Sequence, residues 1–184
     1  NNLRDISMDL RYSDICGISE YELKTYFDGS VAELAESNGL TKEECYAKLK
    51  SMYDGYHFHH KAHGVYNPFS LLNTFCANEF RMYWFETGTP TFLVRYLKQG
   101  GYSLENISKN KVSMETLTGT NYVSPAPITL MYQTGYLTIK GYDSRFNAYN
   151  LDYPNEEVSA GFLHSLSQLY APALIGDEFS VYSF

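Results

Sequence analysis

"GYLTIKGYDSRFNAYNLDY", residues 135–153, decides how the second half of this 184-residue chain folds. Two runs rich in Tyr, Leu, Ile and Thr flank the polar "DSR", the pattern of a β-hairpin. In an extended strand Leu137 and Ile139 fall on one face and Tyr136 and Thr138 on the other. A lone hairpin is marginal in water, so its apolar face needs a partner. That partner follows at once. Pro154 opens "NEEVSAGFLHSLSQLYA", whose Val158, Phe162, Leu166 and Leu169 recur at helical spacing. Leu137, Ile139 and Leu151 are therefore expected to be buried against Phe162 and Leu166. A helix, a hairpin and a further helix in this order predict a winged-helix-like unit.

Upstream the pattern is helical. Ser19 with Glu22 and Thr41 with Glu44 are capping boxes, in which side chain and backbone satisfy each other's free groups. After the first box Leu23, Phe27, Val31, Leu34 and Ala35 predict one helix that runs to Gly39, a residue suited to a helix stop. After the second, Cys45, Leu49 and Met52 share a face, and Gly55 ends the run. Asn67–Pro68 and Thr89–Pro90 each pair an N-cap with Pro at the first helical position. Segment 102–124 is polar and reads as a bridge. The fold class expected is mainly α, with a helical subdomain over residues 1–101 and a winged-helix-like unit with a β-hairpin over 102–184.

The bulk chemistry narrows function. With 14 basic and 21 acidic residues the formal charge is −7. Such a chain repels a phosphate backbone, and the helix from Pro154 has no Lys or Arg to read a groove, so direct nucleic-acid binding is not expected. Three dispersed cysteines, Cys16, Cys45 and Cys76, with no C-x-x-C fit a reducing, cytoplasmic setting. No apolar run approaches the ~20 residues of a membrane span, and no membrane association is expected. No nucleophile–base pairing at a recognisable spacing appears, so no catalytic residue is assigned.

Two stretches carry candidate sites. "YDGYHFHHKAHGVYNPFS", residues 53–70, holds four of the five histidines. The spacing of His57, His59, His60 and His63 matches no specific zinc signature, and Asp54 is the only close carboxylate, so no metal is assigned. The histidines read as a polar surface turn. Its flanks say more: Asp54 can accept backbone N–H bonds, Gly55 can take backbone angles closed to other residues, and Asn67 caps a helix. In "YWFETGTPTF", residues 83–92, Thr87, Gly88 and Thr89 precede a Pro-initiated helix whose free N–H groups can meet an anion. Glu86 could orient a partner there. The plain alternative is an aromatic anchor, with Trp84 and Phe85 in the core.

"NNLRDISMDLRYSDICGISEYEL", "YDGYHF", "VYNPFSLL", "YWFETGTPTFLVRYLK", "YQTGYLTIKGYD" and "YPNEEV" together resemble the AAA-ATPase-like family of bacterial proteins, frequent in gut Bacteroides. The likeness runs from residue 1 to about residue 170. In that family a P-loop ATPase core precedes such a region and a PD-(D/E)XK nuclease-like domain follows it. Neither the G-x-x-x-x-G-K-S/T loop nor the nuclease signature occurs here. The resemblance therefore implies a piece of a longer protein: the helical lid and the connector, with no cofactor of its own. It also implies ATP and Mg²⁺ in the whole protein, and partners in its own ATPase core and nuclease-like domain. It makes Asp54, Gly55, Tyr56, Asn67, Glu86 and Thr87 the nucleotide-proximal candidates, although the stretch offers Lys61 where a phosphate sensor is often Arg. A protein–protein interaction module with a Tyr-rich surface is the alternative. In the lid reading, an apolar patch near "YDGY" or "NPFS" is expected where the core docks.

Overall fold

The computed structural model describes residues 6–86, 91–99, 111–119 and 126–170. The first half is helical. A 3₁₀ turn at Leu10–Tyr12 leads to α1 (Glu20–Tyr26), α2 (Asp28–Ser37), α3 (Lys42–Tyr53) and α4 (Pro68–Ala77). Both capping boxes form. Ser19 Oγ accepts from Glu22 N at 3.2 Å, and the Glu22 carboxylate accepts from Ser19 N at 2.8 Å. Thr41 and Glu44 repeat the pair at the same two distances. Gly39 sits at φ +64°, in the left-handed region that stops α2. Asn67 Oδ1 accepts from Phe69 N at 3.0 Å and Pro68 opens α4, as the sequence predicts.

The single helix expected over 20–38 is two. The chain leaves helical geometry at Phe27, φ −116° and ψ 10°. The break turns the Phe27 ring onto Phe75 of α4, with centroids 5.7 Å apart, while Leu23 and Val31 on either side stay fully buried. One unbroken apolar stripe hid this, because both helices point their stripe at the same core. That core gathers Leu23, Val31, Leu34, Cys45, Leu49, Tyr53, Tyr66 and Leu71.

The second half continues with α5 (Tyr83–Glu86), α6 (Thr91–Gln99), β1 (Lys111–Ser113), α7 (Met114–Thr118), α8 (Pro127–Gln133), β2 (Thr138–Asp143), β3 (Ala148–Asp152) and α9 (Glu156–Tyr170). The hairpin β2–β3 forms in the expected place. Its turn centres on residues 144–147, with Asn147 at φ +48° and Asp143 Oδ1 accepting from Arg145 N. A third strand was not legible: β1 pairs antiparallel with β3, giving the order β1–β3–β2. Three residues are too few for a periodicity to show.

The expected alternation along β2 also fails. Tyr136, Leu137, Thr138 and Ile139 are all buried. Both faces are covered where the chain enters β2, up to Ile139, so an in–out pattern has no solvent side to mark there. Leu137, Ile139 and Leu151 do share one core with Phe162 and Leu166. Leu93, Leu97, Trp84 and Phe85 join that core too, so the second cluster draws on residues before position 101. The chain is mainly helical with one small antiparallel sheet. Among the described residues no helix is long and apolar enough to cross a membrane.

The two cores meet on α9, which packs against α3 and α5. Glu157 of α9 is 1% exposed. Its Oε2 accepts from Ser70 Oγ of α4 at 2.7 Å, and its Oε1 accepts from Trp84 N of α5 at 2.9 Å. One carboxylate thus joins three helices. Gly161, one turn on, lies under the Phe85 ring, where a Cβ would overlap it.

Candidate functional site

The loop between α3 and α4 organises the candidate residues. Two antiparallel bridges, Tyr56 with Val65 and Ile18 with Tyr66, pinch it at its base. On one side lies a cleft of about 860 Å³, lined by Glu20, Lys50, Asp54, Gly55, His57, Lys61, His63 and Lys140 among others. On the other lies a pocket of about 280 Å³ that includes Tyr56, Asn67 and Trp84. Residues adjacent in the chain thus serve different sites. Asp54 and Gly55 line the first, and Tyr56 and Asn67 the second. Glu86 ends α5. Thr87, together with Gly88, Thr89 and Pro90, lies outside the described residues.

The cleft is held open by backbone contacts. Gly55 adopts φ +103°, and a Cβ there would collide with the Pro154 carbonyl oxygen. The Lys140 ammonium fills the space beside it, donating to Gly55 O at 3.2 Å and Pro154 O at 2.9 Å. Lys140 sits at the irregularity between Ile139 and Gly141 in β2, which takes its side chain out of the ladder. Burial lowers its pKa, opposed by Asp152 and Asp54. Asn155 Nδ2 ties the Asp54 carbonyl at 3.0 Å, while Asp54 Oδ1 is buried with no hydrogen-bond partner.

Across the cleft mouth Glu20 accepts from both Lys24 and Lys50 at 2.7 Å, and these bonds hold its pKa down to about 2. Lys50 is thereby occupied. With Asp14, Glu20 and Asp54 set against Lys50, Lys61 and Lys140, the lining is charge-balanced. It suits a zwitterionic or mixed surface better than a bare anion.

His63 is exposed, as a surface turn expects, but His57 and His60 tie the loop to the hairpin. His57 N donates to Thr138 Oγ1 at 2.7 Å, and that hydroxyl donates to His57 O at 3.1 Å. His60 stacks between His59 (4.3 Å) and Tyr142 (4.5 Å), and its edge meets Tyr149 at 6.0 Å. Burial, together with His59 and Lys61, lowers its pKa, so its neutral form is favoured. The rings clamp the loop onto the hairpin, a tertiary contact that local polarity cannot reveal. Among the described residues, no group of three or more His, Cys, Asp or Glu side chains converges as a metal site.

Two positions escaped the sequence reading. Glu157 passed as a helix-start acid. Its signal was its place one turn before Gly161 and two turns before Ser165, small residues spaced by four that mark a buried rather than a solvated face. Lys140 lies within a strand and carries no local signal of its contacts with Gly55 and Pro154.

No family model matches the chain, and no solved structure matches it. The chain is 39% identical over 175 residues to an uncharacterised protein encoded in the vnfD 5′ region of Azotobacter chroococcum mcd 1. The match takes in 94% of this chain and 31% of that protein, so the chain spans under a third of the length of the curated relative it matches.

Proposed function

We propose that this chain is the lid and connector of an AAA-ATPase-like protein. In this reading it does not turn over nucleotide alone. It closes over an ATPase core supplied elsewhere in the protein, with ATP and Mg²⁺ bound there, and it couples the nucleotide state to a downstream nuclease-like domain. The unit from β1 to α9 serves as the winged-helix-like connector, and the setting is cytoplasmic. The observation that carries the reading is the outer face of α4. Phe69 is 46% exposed, Leu72 is 43% exposed and Cys76 is exposed. They are spaced by three and four, so they form one apolar stripe on the helix that begins "NPFS". The inner face of the same helix holds Ser70, bonded to Glu157. A push on the stripe is thereby passed to α9, α5 and the sheet.

The test uses the full-length protein. Phe69→Glu with Leu72→Glu alters exposed positions, so the fold is kept, checked by circular dichroism. Loss of Mg²⁺–ATP-dependent protection from protease in this variant, with ATP still bound, supports docking at α4. Wild-type protection in the variant rules it out, as does a gene whose flanking sequence encodes no P-loop.

One observation favours the interaction-module alternative. Tyr21 and Tyr26 of α1 are 73% and 72% exposed, and exposed Tyr is well suited to protein contacts. Tyr21→Ala with Tyr26→Ala, leaving the ATP-dependent protection intact while abolishing a partner contact, separates the two.

A further inference from the structure

The smaller pocket takes in two of the nucleotide-proximal candidates, Tyr56 and Asn67, and its wall chemistry points to a ligand of its own. Its walls include the aromatic side chains Tyr56, Phe58 and Trp84, and its rim carries Gln133 and Thr134 at the end of α8. None of the described lining residues is charged. Gly135 lies between two of the walls: a Cβ there would touch Tyr56 Cε1 at 3.7 Å and Trp84 Cζ2 at 3.8 Å. The absence of a side chain at Gly135 keeps that space open. Tyr136 packs on Trp84 with centroids 4.9 Å apart, and Phe85 meets it edge-on at 5.2 Å, so the Trp84 wall is fixed in place.

The rim's hydrogen-bonding capacity has a direction. Gln133 Nε2 donates one of its two hydrogens to Leu117 O at 3.3 Å, which leaves its second N–H and the acceptor Oε1. Thr134 Oγ1 gives its hydrogen to Leu130 O at 2.6 Å, which leaves its oxygen lone pairs. Uncharged walls disfavour an ion, which would lose its hydration without gaining a counter-charge. Aromatic walls favour a flat ring over an aliphatic one. Acceptors at Gln133 and Thr134, beside the one amide hydrogen left at Gln133, match a ligand that carries an N–H donor next to a carbonyl.

We propose that this pocket is a binding site for an uncharged, planar aromatic ring that carries an N–H donor, of the aromatic carboxamide class. A volume of about 280 Å³ is ample for one such ring.

Trp84 is the chain's single tryptophan, so its fluorescence reports on this pocket alone. The experiment titrates the 184-residue chain with benzamide, with N,N-dimethylbenzamide, which lacks the donor, and with cyclohexanecarboxamide, which keeps the donor on a ring that is not flat. Amide chemical shifts are followed in parallel. Benzamide should give a saturable change with a dissociation constant of about 1 mM, the scale for so few atoms. The shifts should centre on Trp84, Gln133 and Gly135, and both analogues should bind about five-fold more weakly, the value of one hydrogen bond or one ring contact. Gln133→Met, at an exposed position, should weaken benzamide by a similar factor and weaken N,N-dimethylbenzamide, which has no N–H for the rim acceptors, by less. Thr134→Val provides a second variant with the same expectation. No saturable change in the millimolar range, equal binding of the three compounds, or shifts centred elsewhere would overturn the proposal.

Discussion

Glu157 ties α4 and α5 to α9 through one buried side chain. A buried carboxylate is costly unless hydrogen bonds replace its lost hydration. Here Ser70 Oγ and Trp84 N supply them at 2.7 and 2.9 Å. Glu157→Ala leaves a buried hydroxyl and a buried N–H without their acceptor and should cost about 3 kcal/mol, while Glu157→Gln, which keeps one acceptor, should cost about 1–2 kcal/mol. Urea denaturation midpoints measure both. An alanine variant as stable as wild type would refute the bridge. His60 makes a prediction in pH. Its folded pKa is lowered from 6.5, chiefly by burial. The unfolded chain therefore takes up this proton more readily. The stabilisation is complete above pH 6.5 and is lost progressively as pH falls below that value. The His60 ring resonances should titrate with a midpoint below 6.5, and His60→Phe should lessen the acid sensitivity of the loop. A midpoint above 6.5 would contradict the packing described.

At the scale of elements, close approach decides where the helices and the loop lie. Gly55, at φ +103° against the Pro154 carbonyl, cannot carry a Cβ without strain and collision. Gly55→Ala should cost about 3 kcal/mol or more, read as a fall in thermal midpoint. Gly161 lets Phe85 rest on α9, and Gly161→Ala should cost about 1–3 kcal/mol by overpacking. A midpoint within a degree of wild type for either variant would remove the close contact from the account. What was legible in the sequence follows the same division. The caps at Ser19, Thr41 and Asn67 and the β2–β3 hairpin rest on neighbours in the chain, and local pattern exposed them. The break at Phe27, the strand β1 and the burial of both faces where the chain enters β2 rest on distant partners: Phe75, Tyr149 and His57. Such partners leave no local trace. The candidate residues divide likewise. Asp54, Gly55 and Asn67 stand out by turn and cap chemistry, while Tyr56 is a candidate through the family resemblance alone. Lys140 and Glu157 act at sequence distances of 85 and 87 residues from their Gly55 and Ser70 partners, beyond any motif.

Across the whole molecule, the two cores are joined where α3, α4 and α5 meet α9, and the loop 54–66 is clamped to the sheet beside that junction. The Ser70–Glu157 bond gives a shift of α4 a direct route to α9 and the second core. This is what a lid coupled to a connector requires, and it gives the proposed function its physical content. The central claim is that this chain contributes to nucleotide binding only together with an ATPase core. Calorimetric titration of Mg²⁺–ATP tests it most directly, run side by side on the isolated 184-residue chain and on the full-length protein. The account predicts no heat of binding for the chain alone and saturable binding, of about micromolar strength, for the full-length protein. Saturable binding by the isolated chain, or none by the full-length protein, would contradict it.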